Sequence, residues 1–148
     1  MNENWTLWIT SSIMRYFDAN KGTLKIYFNT EEELITNEPQ YLDIKIYGPK
    51  GRQLDSRTWN LNVLINTTVN VAKDASNMYN IHTIGGKIAS LFKAIPVYNS
   101  SDVIIGCLRV THTREEDGII QEYVGKASPS TNMHRFVIEA MFEMELSI

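Results

Sequence analysis

The chain has 148 residues and a formal net charge of −3, a length that suits one domain with its own core and a charge that leaves no electrostatic footprint for grasping nucleic acid. Hydrophobic residues make up 43% and charged residues 21%, as in an ordinary globular chain, and the single Cys107 excludes an intramolecular disulfide and fits a reducing compartment. No run approaches the roughly 20 apolar residues of a membrane span, and Glu3 stands where a secretory signal needs basic residues, so the sequons at Asn4, Asn66 and Asn99 read as chance in a chain rich in Asn, Ser and Thr.

The first element reads as a helix over about Asn4–Ala19. Trp5, Trp8, Ile9, Ser12, Ile13, Tyr16 and Phe17 follow one helical stripe, and Asn20-Lys21-Gly22 supplies its stop. Trp5 and Trp8 are expected to close one end of the core. Thr23–Asn29 alternates as a strand, the acidic run Glu31-Glu32-Glu33 marks a solvated loop or short turn, and a second strand is predicted over Tyr41–Tyr47. Gly48-Pro49-Lys50-Gly51 is a strong turn signal. The basic segment from Lys50 to Arg57 then reads as a loop or a projecting hairpin tip.

From Thr58 to Val71 the sequence TWNLNVLINTTVNV alternates without interruption. One register carries Trp59, Leu61, Val63, Ile65, Thr67, Val69 and Val71, the core side of a strand. The other carries Asn60, Asn62, Leu64, Asn66, Thr68 and Asn70, with no charge at all. A helix follows: Asp74, Ser76 and Asn77 are capping candidates, Ile81, Ile84, Gly85, Ile88, Leu91, Phe92 and Ile95 form its stripe, and Pro96 is expected to end it. Gly85 on that stripe predicts a close helix–sheet contact. A strand is predicted over Val103–Thr113, then a long polar excursion from Arg114 to Asn132 with a short strand at Ile119–Val124. The last strand, MHRFVIEAMFEMELSI, sets Phe136, Ile138, Ala140, Phe142, Met144 and Leu146 on one face and Arg135, Val137, Glu139, Met141, Glu143 and Glu145 on the other. The expected fold is a single α+β domain: a mostly antiparallel, strongly twisted sheet with an N-terminal helix and one central amphipathic helix packed on it, and projecting loops near 48–57 and 114–132.

Motifs for chemistry are sparse. His82, His112 and His134 form no HxH or HExxH pattern, though His112 and His134 would approach each other if the last strands pair. The segment IGGKIAS departs from a phosphate loop, since Ile81 and Ile88 stand where glycine and Ser or Thr are required. No nucleophile elbow occurs, and Glu139, Glu143 and Glu145 read as a solvated strand face. Lys25, Tyr27, Lys45 and Tyr47 are interleaved with acids, unlike an RNA-binding sheet. Neither an enzyme nor a cofactor is expected.

Proportions point to assembly. A strand of about 14 residues spans on the order of 45 Å, longer than a lone domain of this mass is wide, so it overhangs the core or curls strongly. An uncharged Asn/Thr face suits a packed surface against another subunit, because interface cores are depleted in charge. The competing expectation is that the second helix covers it.

The layout, carried by WNLNVLINTTVNV, MYNIHTIGGKIASLFKAI, IGCLRV and HRFVIEAMFEMEL, resembles the tail-terminator and tail-completion (neck) proteins of long-tailed bacteriophages over nearly the whole chain. The resemblance implies a structural virion protein, made in the host cytoplasm. It would form a hexameric ring that caps the tail tube, and meet tube or sheath subunits and the head-side connector. DNA would only pass through, and no membrane would be met. On that footing Asn60, Asn62, Leu64, Asn66 and Thr68 are expected at the subunit interface, Glu139, Glu143 and Glu145 along the lumen, and Lys50, Arg52, Arg57, Arg114, Glu116, Ile119 and Tyr123 in partner docking. Head-completion, tube and baseplate proteins share this texture. A non-viral protein- or nucleic-acid-binding module is the other alternative.

Overall fold

Three long strands carry the architecture. In the computed structural model, which describes residues 4–29, 40–72, 77–112, 118–126 and 133–147, the elements run α1 (Trp5–Asn20), β1 (Lys25–Phe28), β2 (Gln40–Gln53), β3 (Thr58–Ala72), α2 (Asn77–Ala89), β4 (Ile95–Tyr98), β5 (Ile104–Val110), β6 (Ile120–Lys126) and β7 (Met133–Ser147). The fold is α+β with a mixed sheet in the order β1-β2-β3-β7-β5-β4. The β1–β2 pair is parallel and the other described pairings are antiparallel. Beyond β3, the strand β7 is paired along its first half by β6 and at Phe142–Glu143 by β5.

The alternation in β3 is realised. Leu61, Val63, Ile65, Val69 and Val71 are buried, opposite Met144, Phe142, Ala140, Phe136 and His134 of β7. Both helices pack on this side. Ile9, Ile13 and Phe17 of α1 are fully buried with Phe92 and Phe142 in one cluster, each such side chain contributing about 1.5–3 kcal/mol by leaving water. Trp5 and Trp8 pack at its margin as expected: the Trp5 ring lies 3.0 Å from where a Cβ on Gly51 would stand, and the Trp8 indole donates to Ser100 Oγ at 2.8 Å. The expected close approach of α2 is also present, since a Cβ on Gly85 would stand 2.6 Å from the Phe136 ring.

Three expectations need correction. Gly48-Pro49 does not end the second strand. The chain passes it with a register shift between Tyr47 and Lys50 and pairs on to Gln53 opposite Trp59. The true turn lies at 54–57, closed by Leu54 N–H donating to the Thr58 carbonyl at 2.9 Å. Lys50 and Arg52 therefore belong to a strand, and the projecting segment expected over 48–57 is mostly paired sheet. Second, Pro96 does not stop α2, which ends at Ala89. Pro96 sits in the short strand β4, on its pairing with β5 at Cys107, where an edge strand tolerates the missing amide. Third, His112 and His134 stay apart. Thr111 donates its backbone N–H to Met141 O, seven positions along β7 from His134, or about 23 Å of extended strand. Asp74, Ser76, Arg114, Glu116 and the acidic run at 31–33 lie outside the described residues.

Candidate functional site

The face of β2, β3 and β7 turned away from the helices is the surface with organised chemistry. Its composition follows from the bulge. Strict alternation after Tyr47 would send Lys50 and Arg52 to the core. The extra residue at Gly48-Pro49 resets the period, so that Gly51 faces Leu61 and the Trp5 ring while Lys50 pairs with Asn62 and Arg52 with Asn60. Gly48 takes φ +104 there, a conformation that L side chains rarely adopt.

Residues directly opposite in a sheet share a face, so the register spells out rows across the three strands. Arg52, Asn60 and Glu145 make one, Lys50, Asn62 and Glu143 the next, and Lys45, Asn66 and Glu139 a third. Each reads cation, amide, carboxylate. Between the second and third lies an apolar row: Tyr47, Leu64 and Met141. Tyr47 is 54% and Met141 36% exposed, and Leu64 is half-buried. At the far end the polarity reverses, with Tyr41, Asn70 and Arg135 in one row. Here Arg135 Nε donates to Asn70 Oδ1 at 3.2 Å, and Asn70 Nδ2 to the Thr68 carbonyl at 3.2 Å. A concavity of about 190 Å³ opens between Tyr41, Asp43, Lys45 and Tyr47 on one side and Arg135 on the other.

The missing charge in β3 now has a local explanation. Its neighbours supply both signs, and Asn66 Nδ2 donates to one of the carboxylates, Glu139 Oε2, at 2.7 Å. Cation and carboxylate in a row stand two strand spacings apart, roughly 9–10 Å, about one Debye length in physiological salt. Within one chain they do not neutralise each other by contact. Arg109 of β5 stands beside Glu143 on its outer side.

The expected interface residues Asn60, Asn62, Leu64, Asn66 and Thr68 thus share one face, half-buried by their neighbours. The second helix does not cover them, because it packs on the opposite side against Phe136. The expected lumen residues Glu139, Glu143 and Glu145 lie on this same face, one strand away. A subunit contact and an open lumen therefore compete for one surface. Among the docking residues, Arg57 sits in the hairpin turn, where its backbone N–H donates to Asp55 Oδ1 at 2.8 Å. That bond, with a second from the Thr58 N–H, holds the Asp55 carboxyl below its ordinary value. Ile119 is 38% exposed just before β6. Tyr123 is no free arm: its hydroxyl bonds His134 Nδ1 at 2.7 Å and its ring lies 4.7 Å from that of His82, which clamps β6 to β7 and α2. His134 is correspondingly buried rather than on the surface.

Tyr47 and Met141 were missed as site residues. Each stands between charged residues on its strand face, and only the pairing brings them into a row with Leu64. Among the described residues no group of three or more His, Cys, Asp or Glu is placed to hold a metal ion, and no helix is long and apolar enough to cross a membrane.

No family model and no curated protein matches the sequence. Eighteen solved chains match it in fold. One of them, whose name carries no functional description, has a TM-score of 0.50 and 11% identity over 93% of this chain and 90% of that one, a likeness of fold alone.

Proposed function

We propose that the chain is a structural assembly subunit of a phage tail or neck, a tail terminator that joins copies of itself into a ring on the tail tube, below the head-side connector. The observation that supports it best is the open face of β2, β3 and β7. An exposed apolar row at Tyr47, Leu64 and Met141, flanked by polar and charged rows, has the anatomy of a protein contact, with an apolar centre and a polar rim. Strands of 14 and 15 residues support the strongly twisted sheet expected of such subunits, since few flat sheets of that length are stable.

Of the two roles expected for this face the contact is the better supported, and the acidic row belongs to it rather than to a lumen. Docking toward tube, sheath or connector falls to the edge strand β6. Its outer edge is unpaired among the described strands, and Ile120 and Val124 are 55% and 43% exposed, a template for strand addition. The virion is then the place of action, with DNA only in passage.

Electron microscopy of the purified protein mixed with tail tubes tests this reading. Rings seated on tube ends support it. Bare tube ends at saturating protein, with β6 intact, contradict it.

A further inference from the structure

We propose that the open face is a two-fold contact between two copies of this chain, with the symmetry axis running along β3. The inference rests on reading this face as a contact between copies, but not on the tail; a two-fold contact closes as a dimer, so a ring on the tube would be closed through a second surface of the chain.

It is carried by the order of charge. Two identical faces can stack by a two-fold axis lying either along the strands or across them. An axis across the strands through the apolar row sets β2 over β2 and reverses the rows, so that Lys50 meets Lys45 and Glu143 meets Glu139. An axis along β3 sets β2 of one copy over β7 of the other without moving the rows. Lys45 then faces Glu139 of the second copy, Lys50 faces Glu143 and Arg52 faces Glu145. The apolar row matches as well: Tyr47 lies over Met141, a sulfur–aromatic contact, and Leu64 over Leu64. At the far end Tyr41, Asp43 and Asn70 are already buried within the chain and take no part in the contact.

The central strand explains the choice of asparagine. A residue on a two-fold axis meets itself, so either charge there would be repelled by its own copy. An amide carries both donor and acceptor and can bond its equivalent. Asn60, Asn62 and Asn66 occupy three such positions, with Leu64 among them. The rows from Arg52, Asn60 and Glu145 to Lys45, Asn66 and Glu139 measure three strands at about 4.8 Å by about 23 Å, roughly 330 Å² per copy, the size of a weak contact whose population depends on concentration. Contact removes water from the rows and strengthens their charges, which one chain alone does not do.

Charge exchange tests the pairing. One variant carries Lys50→Glu and Arg52→Glu and has acidic flanks on both sides. The other carries Glu143→Lys and Glu145→Lys and has basic flanks. These substitutions leave the Asn66–Glu139 bond in place, and circular dichroism melts establish that each folds. Each variant alone should fall to the 17.0 kDa chain mass in native mass spectrometry, at concentrations where the wild type associates. An equimolar mixture should give a one-to-one dimer. In a Cys107→Ser background, Asn62→Cys should cross-link to itself through a short bis-maleimide, as a residue on or close to a two-fold axis does. Variants that keep the wild-type mass, a mixture that stays monomeric, or no self-cross-link at position 62 would overturn the pairing. A ring on tube ends that survives the charge changes sinks the pairing and spares the tail reading. A dimer that never decorates tube ends does the reverse.

Discussion

Gly85 and Gly86 are adjacent in α2 and meet opposite surroundings. A Cβ at position 85 would stand 2.6 Å from the Phe136 ring, whereas nothing lies within 4 Å of one at position 86. Alanine gains about 1 kcal/mol over glycine in a helix interior, but forcing apart a packed contact costs about 1–3 kcal/mol. Gly86→Ala should therefore raise the thermal midpoint and Gly85→Ala should lower it; equal shifts in differential scanning calorimetry would contradict the contact. Asp55 gives a pH prediction at the same scale. Its carboxylate accepts the Arg57 and Thr58 N–H groups, which lowers its pKa from the ordinary 3.8. Its contribution to stability is thus fully present above about 3.8 and is lost as pH falls through the lowered value. The gap in thermal midpoint between wild type and Asp55→Asn should close as the solution is acidified through that range. A gap independent of pH would show that the carboxylate's charge is not what holds the turn. The contact at Gly85 was legible in the sequence because a glycine on an apolar stripe has few other uses. The Tyr123–His134 bond was not legible, because it depends on a register that neither residue announces.

At the scale of elements, the bulge decides what the sheet displays. Alternation alone identified the core faces of β3 and β7 correctly, since a period of two needs no knowledge of the partner strand. It failed at Gly48-Pro49, where a turn signature and a bulge signature share the same residues. The consequence is functional, because the reset period turns Lys50 and Arg52 outward. Deleting Pro49 removes the extra residue and leaves Gly48 alone opposite Val63, so that plain alternation now keeps Lys50 opposite Asn62 and Arg52 opposite Asn60. The hairpin should therefore stay paired to its end, and limited proteolysis should cut the variant no faster near 50–57 than the wild type. New cleavage there would contradict the assignment of a single extra residue to the bulge. Pro96 misled the reading of α2 for a related reason. Proline ends helices, but it also fits an edge strand, and the four-residue β4 is too short to show a period.

For the whole molecule, the question posed by an uncharged row of asparagines is answered on two levels. Inside the chain, β2 and β7 provide the cations and carboxylates that β3 lacks, and Asn66 bonds one of the carboxylates, Glu139. Between chains, the pairing we propose sets that order of charge against itself. The fold class was readable because amphipathic helices and alternating strands announce themselves locally. The site was only half readable: the asparagine face was found, but its union with the glutamate row and the apolar centre at Tyr47, Leu64 and Met141 required the long-range pairing of strands separated by up to about 90 positions in sequence. The most direct test of this account is the solution mass across a concentration series at low and high salt, measured by light scattering. A face that meets a second copy predicts a mass above 17.0 kDa that falls as salt screens the charged rows. A chain that stays at monomer mass at every concentration, in low salt as in high, would contradict it.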